Sequence, residues 1–103
     1  MLHAFDIEIS TQRDGSSVLD VDGALDLASA ALFRERVGEA LGTGARDLVV
    51  DMTDVEFIDS AGLGALLWAQ HRAQAVGGDL HAVHCCPPVE RAFALAGLTQ
   101  LLH

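Results

Sequence analysis

Asp59 and Ser60 are the adjacent residues of this chain whose types and position best suit chemistry. They stand where an apolar, strand-like run gives way to a helical pattern through Ala61-Gly62-Leu63-Gly64. Ser60 falls at the position of an N-cap, its oxygen able to accept the amide of Gly62 or Leu63. The same hydroxyl can carry a phosphate, adding about −1.5 to −2 charge at a helix N-terminus, where the macrodipole tolerates it. Such a modification leaves the fold intact and alters a surface shared with Asp59 and Asp26. Other chemistries fit less well. Ile58 stands where a Gly-x-Ser-x-Gly elbow needs its first glycine, and no histidine near Ser60 in sequence offers a base. No catalytic residue is assigned, and the chain is read as not an enzyme. Asp26, Asp51, Asp54 and Asp59 could gather around a divalent cation, but a solvated acidic rim is the commoner outcome. His81, His84, Cys85 and Cys86 lack paired Cys-x-x-Cys spacing, and residues three apart on a strand face opposite sides. Gly62-Leu63-Gly64 is too short for a dinucleotide fingerprint or a P-loop. No metal and no cofactor is expected.

The elements that must position these residues follow from periodicity. Phe5 to Ile9 and Ser17 to Asp22 alternate apolar and acidic residues with period two, and Gln12-Arg13-Asp14-Gly15-Ser16 between them supplies turn chemistry. This is an N-terminal hairpin. Ala30, Phe33, Val37 and Leu41 then recur at helical spacing, with Asp26 as the expected N-cap and Gly42-Thr43-Gly44 as the stop. Leu48-Val49-Val50-Asp51-Met52 reads as a strand covered on both faces. A helix over 60–76 ends at Gly77-Gly78. Leu80 to Val83 reads as a strand, and Pro87-Pro88 opens a helix whose stripe is Val89, Ala92, Phe93 and Ala96. Leu98 to Leu102 adds a last short strand or helix. The order implies an α/β sheet with at least one parallel crossover. On the 60–76 helix, Gly62, Leu66, Ala69, Ala73 and Val76 make a stripe for the sheet. At about 100° per residue, Leu63, Gly64, Leu67, Trp68 and His71 then point outward, as a docking patch or as a face covered by a neighbouring helix.

Totals narrow the class. The chain has 103 residues, half of them hydrophobic, enough for one domain with a true core. Fifteen acidic residues against six arginines and no lysine give a net charge of −9, which disfavours nucleic acid and anionic membranes as direct partners. No apolar run is long enough to cross a bilayer, and the first six residues lack the regions of a signal peptide. Adjacent Cys85 and Cys86 make no disulfide framework, which suits a reducing compartment. A cytoplasmic location is expected.

These residues also carry a family resemblance. Asp59-Ser60-Ala61-Gly62-Leu63-Gly64, preceded by Val49-Val50-Asp51-Met52 and Val55-Glu56-Phe57-Ile58, resembles the core motif of STAS domains in the form found in bacterial anti-sigma factor antagonists. Gly23-Ala24-Leu25-Asp26 is similar to their Gly-x-Leu-Asp motif, and Pro87 to Leu98 to their closing helix. The resemblance implies one STAS domain over 1–103, with a mixed sheet of four to five strands and three to four helices. It also implies a cycle. Unphosphorylated antagonist binds an anti-sigma factor of histidine-kinase-type ATPase fold and frees the sigma factor. That partner, acting as a serine kinase, phosphorylates the antagonist and expels it, and a PP2C-type phosphatase resets the system. The phosphoacceptor carries over to Ser60. Asp26 and Asp59 carry over as residues flanking it, and Ala61, Gly62, Leu63, Gly64, Leu67 and Trp68 complete the expected partner-binding set. Ala61 replaces a second hydroxyl frequent in the family, so no backup acceptor follows Ser60. The alternative within the same fold is a constitutive accessory subunit of an ABC transporter ATPase, or a stress-signalling scaffold.

Overall fold

A computed structural model describes residues 5–102; the reading of the first four residues lies outside them. The elements are β1 (Asp6–Thr11), β2 (Ser17–Asp22), α1 (Ala30–Gly42), β3 (Leu48–Asp54), α2 (Ser60–Ala75), β4 (Leu80–Val83), α3 (Pro87–Leu95) and a 3₁₀ turn (Thr99–Leu101). Among the described residues the strands form one sheet in the order β1-β2-β3-β4. The β1–β2 pair is antiparallel, and β2–β3 and β3–β4 are both parallel. The hairpin is held by Asp14, whose carboxylate accepts the Ser16 amide at 2.9 Å and the Ser16 hydroxyl at 2.6 Å. Leu98 to Leu102 supplies both alternatives in miniature, since the 3₁₀ turn leads into an isolated bridge between Leu102 and Ala82.

The register puts Leu19, Val50 and Ala82 side by side, all buried. Their neighbours along each strand alternate out of the core. The helices therefore cover one face, and β3 is not enclosed on both sides as its apolar run suggests: Val49 and Asp51 are only partly buried. The open face is acidic toward one end. Glu8, Asp20 and Asp51 lie in one cross-strand row, and Asp6, Asp22 and Asp54 in the next.

Phe33, Val37 and Ala40 fix α1 on the core side. Its start differs from expectation. Ser29 occupies the N-cap position without a side-chain cap bond, and Asp26 closes a turn in front of it, accepting the amides of Ala28 at 3.0 Å and Ser29 at 3.2 Å. The Ser29 hydroxyl reaches back to the Ala24 carbonyl at 2.8 Å, so this turn is anchored at both ends. On α3, Val89 and Phe93 are buried, while Ala96 is the exposed C-cap.

In α2 the cap is one residue earlier than expected. Asp59, with extended backbone, accepts the Gly62 amide at 3.0 Å, and Ser60 is the first helical residue. The helix stops at Gly77 (φ +92), where Gly77 and Gly78 donate to Gln74 and Ala73; α1 and α3 end on the same motif. Val76 sits at this C-cap and is 46% exposed, so it does not belong to the sheet-facing stripe. The buried arc of α2 is instead wide, comprising Gly62, Leu63, Ala65, Leu66, Ala69, Gln70 and Ala73. Leu63 and Gln70 share one flank at helical spacing, and the Gln70 amide donates to Asp79 beside β4 at 3.2 Å. Because both flanks of α2 are packed, Leu63 lies in the core rather than on the outer face.

Candidate functional site

The loops after β2 and β3 are zipped together at the carboxyl end of the parallel strands, where α/β folds place their sites. Gly23 donates to the Asp54 carbonyl at 3.1 Å and Leu25 to the Phe57 carbonyl at 3.0 Å, and Asp59 returns a bond to the Leu25 carbonyl at 3.3 Å. Leu25 and Ile58 form an isolated parallel bridge, and both side chains are buried. The loop backbones thus meet over the core, and their polar groups are spent on each other.

Asp59 does the positioning. One carboxylate oxygen caps α2 through Gly62, and the other accepts the Leu27 amide at 3.3 Å. A single side chain therefore fixes the helix start to the turn that Asp26 closes. Gly62 is required by the same approach: a Cβ there would overlap the Leu25 carbonyl oxygen and lie 2.9 Å from Cγ1 of Ile58. Only a hydrogen at this position lets α2 press onto the loop.

Capping by Asp59 leaves Ser60 without a structural task. Its side chain is exposed at the first position of α2, and its hydroxyl makes no hydrogen bond to any described residue. It faces the same way as Gly64, Leu67 and His71, since residues at spacings of four, seven and eleven share a helix face. Chemically this is an accessible nucleophilic oxygen at the positive end of a 16-residue helix, with no base among the described residues within hydrogen-bonding distance.

The expected site residues divide into three groups. Asp26, Asp59 and Ala61 gather near Ser60 at partial burial, Asp26 and Asp59 by holding backbone amides. Gly64 and Trp68 face outward and Leu67 is half-buried, with Trp68 carrying the Arg72 guanidinium over its ring at 5.7 Å. Gly62 and Leu63 are buried and present no side-chain surface to a partner. Their part is to seat the helix.

Two residues outside the expected set stand out. Leu27 is 79% exposed and Phe57 is 55% exposed; Phe57 precedes Ser60 by three residues, and the Leu27 amide is bonded to Asp59, the neighbour of Ser60. Periodicity did not reveal them, because a turn has no face from which a departure can be read. The available signal was an apolar residue inside a turn: Leu27 directly after Asp26, and Phe57 amid Asp54, Glu56 and Asp59. Phe57 also lines an open cleft of about 460 Å³ together with Asp22, Gly23, Ala24, Thr53, Asp54 and Glu56.

Nearby ionisable groups are engaged locally. Burial pushes the Asp51 carboxyl upward, but the hydroxyl and amide of Thr53, with His84 at 3.3 Å, outweigh it and hold it below the ordinary value. Asp20 moves the other way, raised by burial and then by the charges of Asp51, Asp54 and Asp22. The Cys85 thiol is pushed up to about 11 by burial, then by Glu90, Cys86 and Asp51, which keeps it protonated at neutral pH. Cys86 donates to the Val55 carbonyl at 3.6 Å. Among the described residues, no three of His, Cys, Asp and Glu converge as metal ligands. Asp51 turns to His84, whereas Asp26 and Asp59 hold amides, so the four aspartates do not form one group. No helix among the described residues is long and apolar enough to cross a membrane.

Comparison with known proteins matches this geometry. Over 54 residues the chain is 40% identical to an anti-sigma-F factor antagonist of Mycobacterium tuberculosis; the match covers 52% of this chain and 44% of that protein, less than half its length. An anti-sigma-B factor antagonist of Bacillus subtilis is 28% identical over 91 residues, covering 88% of this chain and 83% of that one. The crystal structure of an anti-sigma factor antagonist from Mycobacterium paratuberculosis superposes with a TM-score of 0.81 at 26% identity, over 97% of this chain and 86% of the other. The STAS domain model matches residues 8–103. With the zipped loops, the aspartate-capped helix and the four-stranded mixed sheet, that match places the chain in the STAS domain family.

Proposed function

We propose that this chain is an anti-sigma factor antagonist switched by phosphorylation of Ser60. The unphosphorylated form binds an anti-sigma factor of histidine-kinase-type ATPase fold and thereby releases a sigma factor. The same partner, acting as a serine kinase, transfers a phosphoryl group to the Ser60 oxygen and is expelled. A PP2C-type phosphatase removes the phosphate, and the cycle runs in the cytoplasm. The chain itself binds and performs no catalysis.

The observation that carries this reading is the division of labour between adjacent residues. Asp59 takes the cap, so the Ser60 hydroxyl is exposed and unbonded, free to be modified without loss of a fold-forming contact. The functions named for the mycobacterial and bacillar relatives support it.

The test is an intact mass and phosphopeptide map of the protein purified from its own host, with co-purifying proteins identified. One phosphate on Ser60 and a histidine-kinase-fold partner is the expected result. Ser60→Ala should hold that partner permanently and Ser60→Asp should bind it weakly, both melting within a few degrees of wild type. Unmodified Ser60 in company with a transporter ATPase would overturn the proposal.

A further inference from the structure

We propose that Leu27 and Phe57 are the apolar anchors of the partner interface, and that they dock an apolar protein surface rimmed by arginine or lysine. This rests on the phosphoswitch reading and deepens it, moving the docking surface from the outer face of α2 to the zipped loops. The α2 face offers little that is free: Leu67 is half-buried, and Trp68 is stacked with Arg72. Leu27 and Phe57 differ. At 79% and 55% exposure they are large apolar groups left in water on rigid backbone, with Leu27 held through its amide by Asp59 and Phe57 through its carbonyl by Leu25. Isolated exposed leucines are ordinary, but two such side chains on loops bonded to each other and to the residue before Ser60 make a contact surface.

Charge identifies the occupant. The segments that build this rim, residues 22–29 and 53–64, contain Asp22, Asp26, Asp54, Glu56 and Asp59 and no arginine, lysine or histidine. An acidic partner would be repelled and a purely apolar one would leave these carboxylates facing a dry surface, so a basic rim around an apolar centre fits. The arrangement also explains how a phosphate can release a basic partner. A phosphate on Ser60, next to the residue whose carboxylate bonds the Leu27 amide, would bring bulk and a strongly hydrated charge beside the apolar anchors, and stripping its water would oppose docking.

The test is calorimetric titration of the host's purified histidine-kinase-fold anti-sigma factor into wild type, Leu27→Ser, Phe57→Ser, Leu67→Ser, Leu27→Met and Ser60→Asp. Because neither anchor belongs to the core, melting temperatures should stay near wild type. Leu27→Ser and Phe57→Ser should each weaken binding at least about tenfold, Leu67→Ser less than about threefold, and Leu27→Met should retain it. Wild-type affinity should fall at least about tenfold between roughly 50 and 300 mM salt. If Leu27→Ser and Phe57→Ser bind like wild type while Ser60→Asp does not, the anchors are wrong and the switch stands. Equal damage from Leu67→Ser returns the interface to α2, and a flat salt dependence removes the basic rim. If Ser60→Asp binds normally, or wild type does not bind, the switch reading fails and this inference fails with it.

Discussion

The two ends of α2 are built with the same device and used differently. At the carboxyl end, Gly78 packs so tightly on Arg46 that a Cβ would overlap its carbonyl oxygen. There the Asp79 carboxylate gathers the Leu80 amide at 2.8 Å and the amides of Gln70 and Gln74. Asp47 accepts the Asp79 amide at 3.1 Å, joining the β3 and β4 entries. At the amino end Gly62 packs on Leu25 in the same way, and Asp59 ties the helix to the opposing loop. The carboxyl end spends its polar side chains on itself. The amino end spends one carboxylate and leaves a hydroxyl and two large apolar groups facing water. Structural security and chemical availability are thus separated along one helix, within adjacent residues at the working end.

Breaking the close approaches should have the largest effect. Gly62→Ala and Gly78→Ala should each cost about 3 kcal/mol, because each drives a methyl against backbone that cannot swing away. For a chain of this size that is a fall of about 15 °C in melting temperature, read by thermal melts. Equal losses would confirm the shared device, and an unperturbed Gly62→Ala would show that the loops separate freely at the working end. Asp59→Ala should come next, at about 1–2 kcal/mol for the lost cap, with Asp59→Asn recovering most of it in urea titrations. The smallest effect is a pH dependence at the carboxyl end. Asp79 is held below 3.8, first by the Leu80 amide and, against some burial, by Gln70, His81 and Gln74. The unfolded chain therefore binds this proton at higher pH than the folded one, and stability rises with pH across that interval. The contribution is fully present well above pH 3.8 and is lost as pH falls below it through the folded pKa. Asp79→Asn should flatten that part of the acid limb of urea midpoints taken from pH 5 to about 2.

The sequence was most legible where one local signal acts alone. The hairpin, the parallel strands and the three helices follow from periodicity and turn residues, and the glycine stops of α1 and α2 fall as expected. It was least legible where a tertiary contact chooses between local equivalents. Asp59 and Ser60 are both good N-caps, and periodicity cannot rank them. The second oxygen of Asp59, bonded to Leu27 thirty-two residues away, is what ties the extended residue down and moves Ser60 into the helix. Asp26 differs for a local reason: it accepts the amides of Ala28 and Ser29 in a turn just ahead of α1, and Ser29, at the N-cap position, makes no side-chain cap bond. Leu63 read as outward because a helix on a sheet was given one buried flank, and α2 has two. The run Val49-Val50 suggested a strand covered on both sides, yet the described residues cover one. Leu27 and Phe57 lay beyond any periodic test, since neither is in a helix or strand.

The double hold of Asp59 has a kinetic consequence. With the helix start, the turn before α1 and the strand-end loops locked in a single hydrogen-bonded arrangement, this rim has little backbone freedom to surrender when another molecule settles on it. Association then pays no ordering penalty on this side and needs no slow rearrangement before contact. On the proposed phosphoswitch, discrimination between the two forms of the protein would come from the surface at Ser60 itself and not from movement of the frame beneath it.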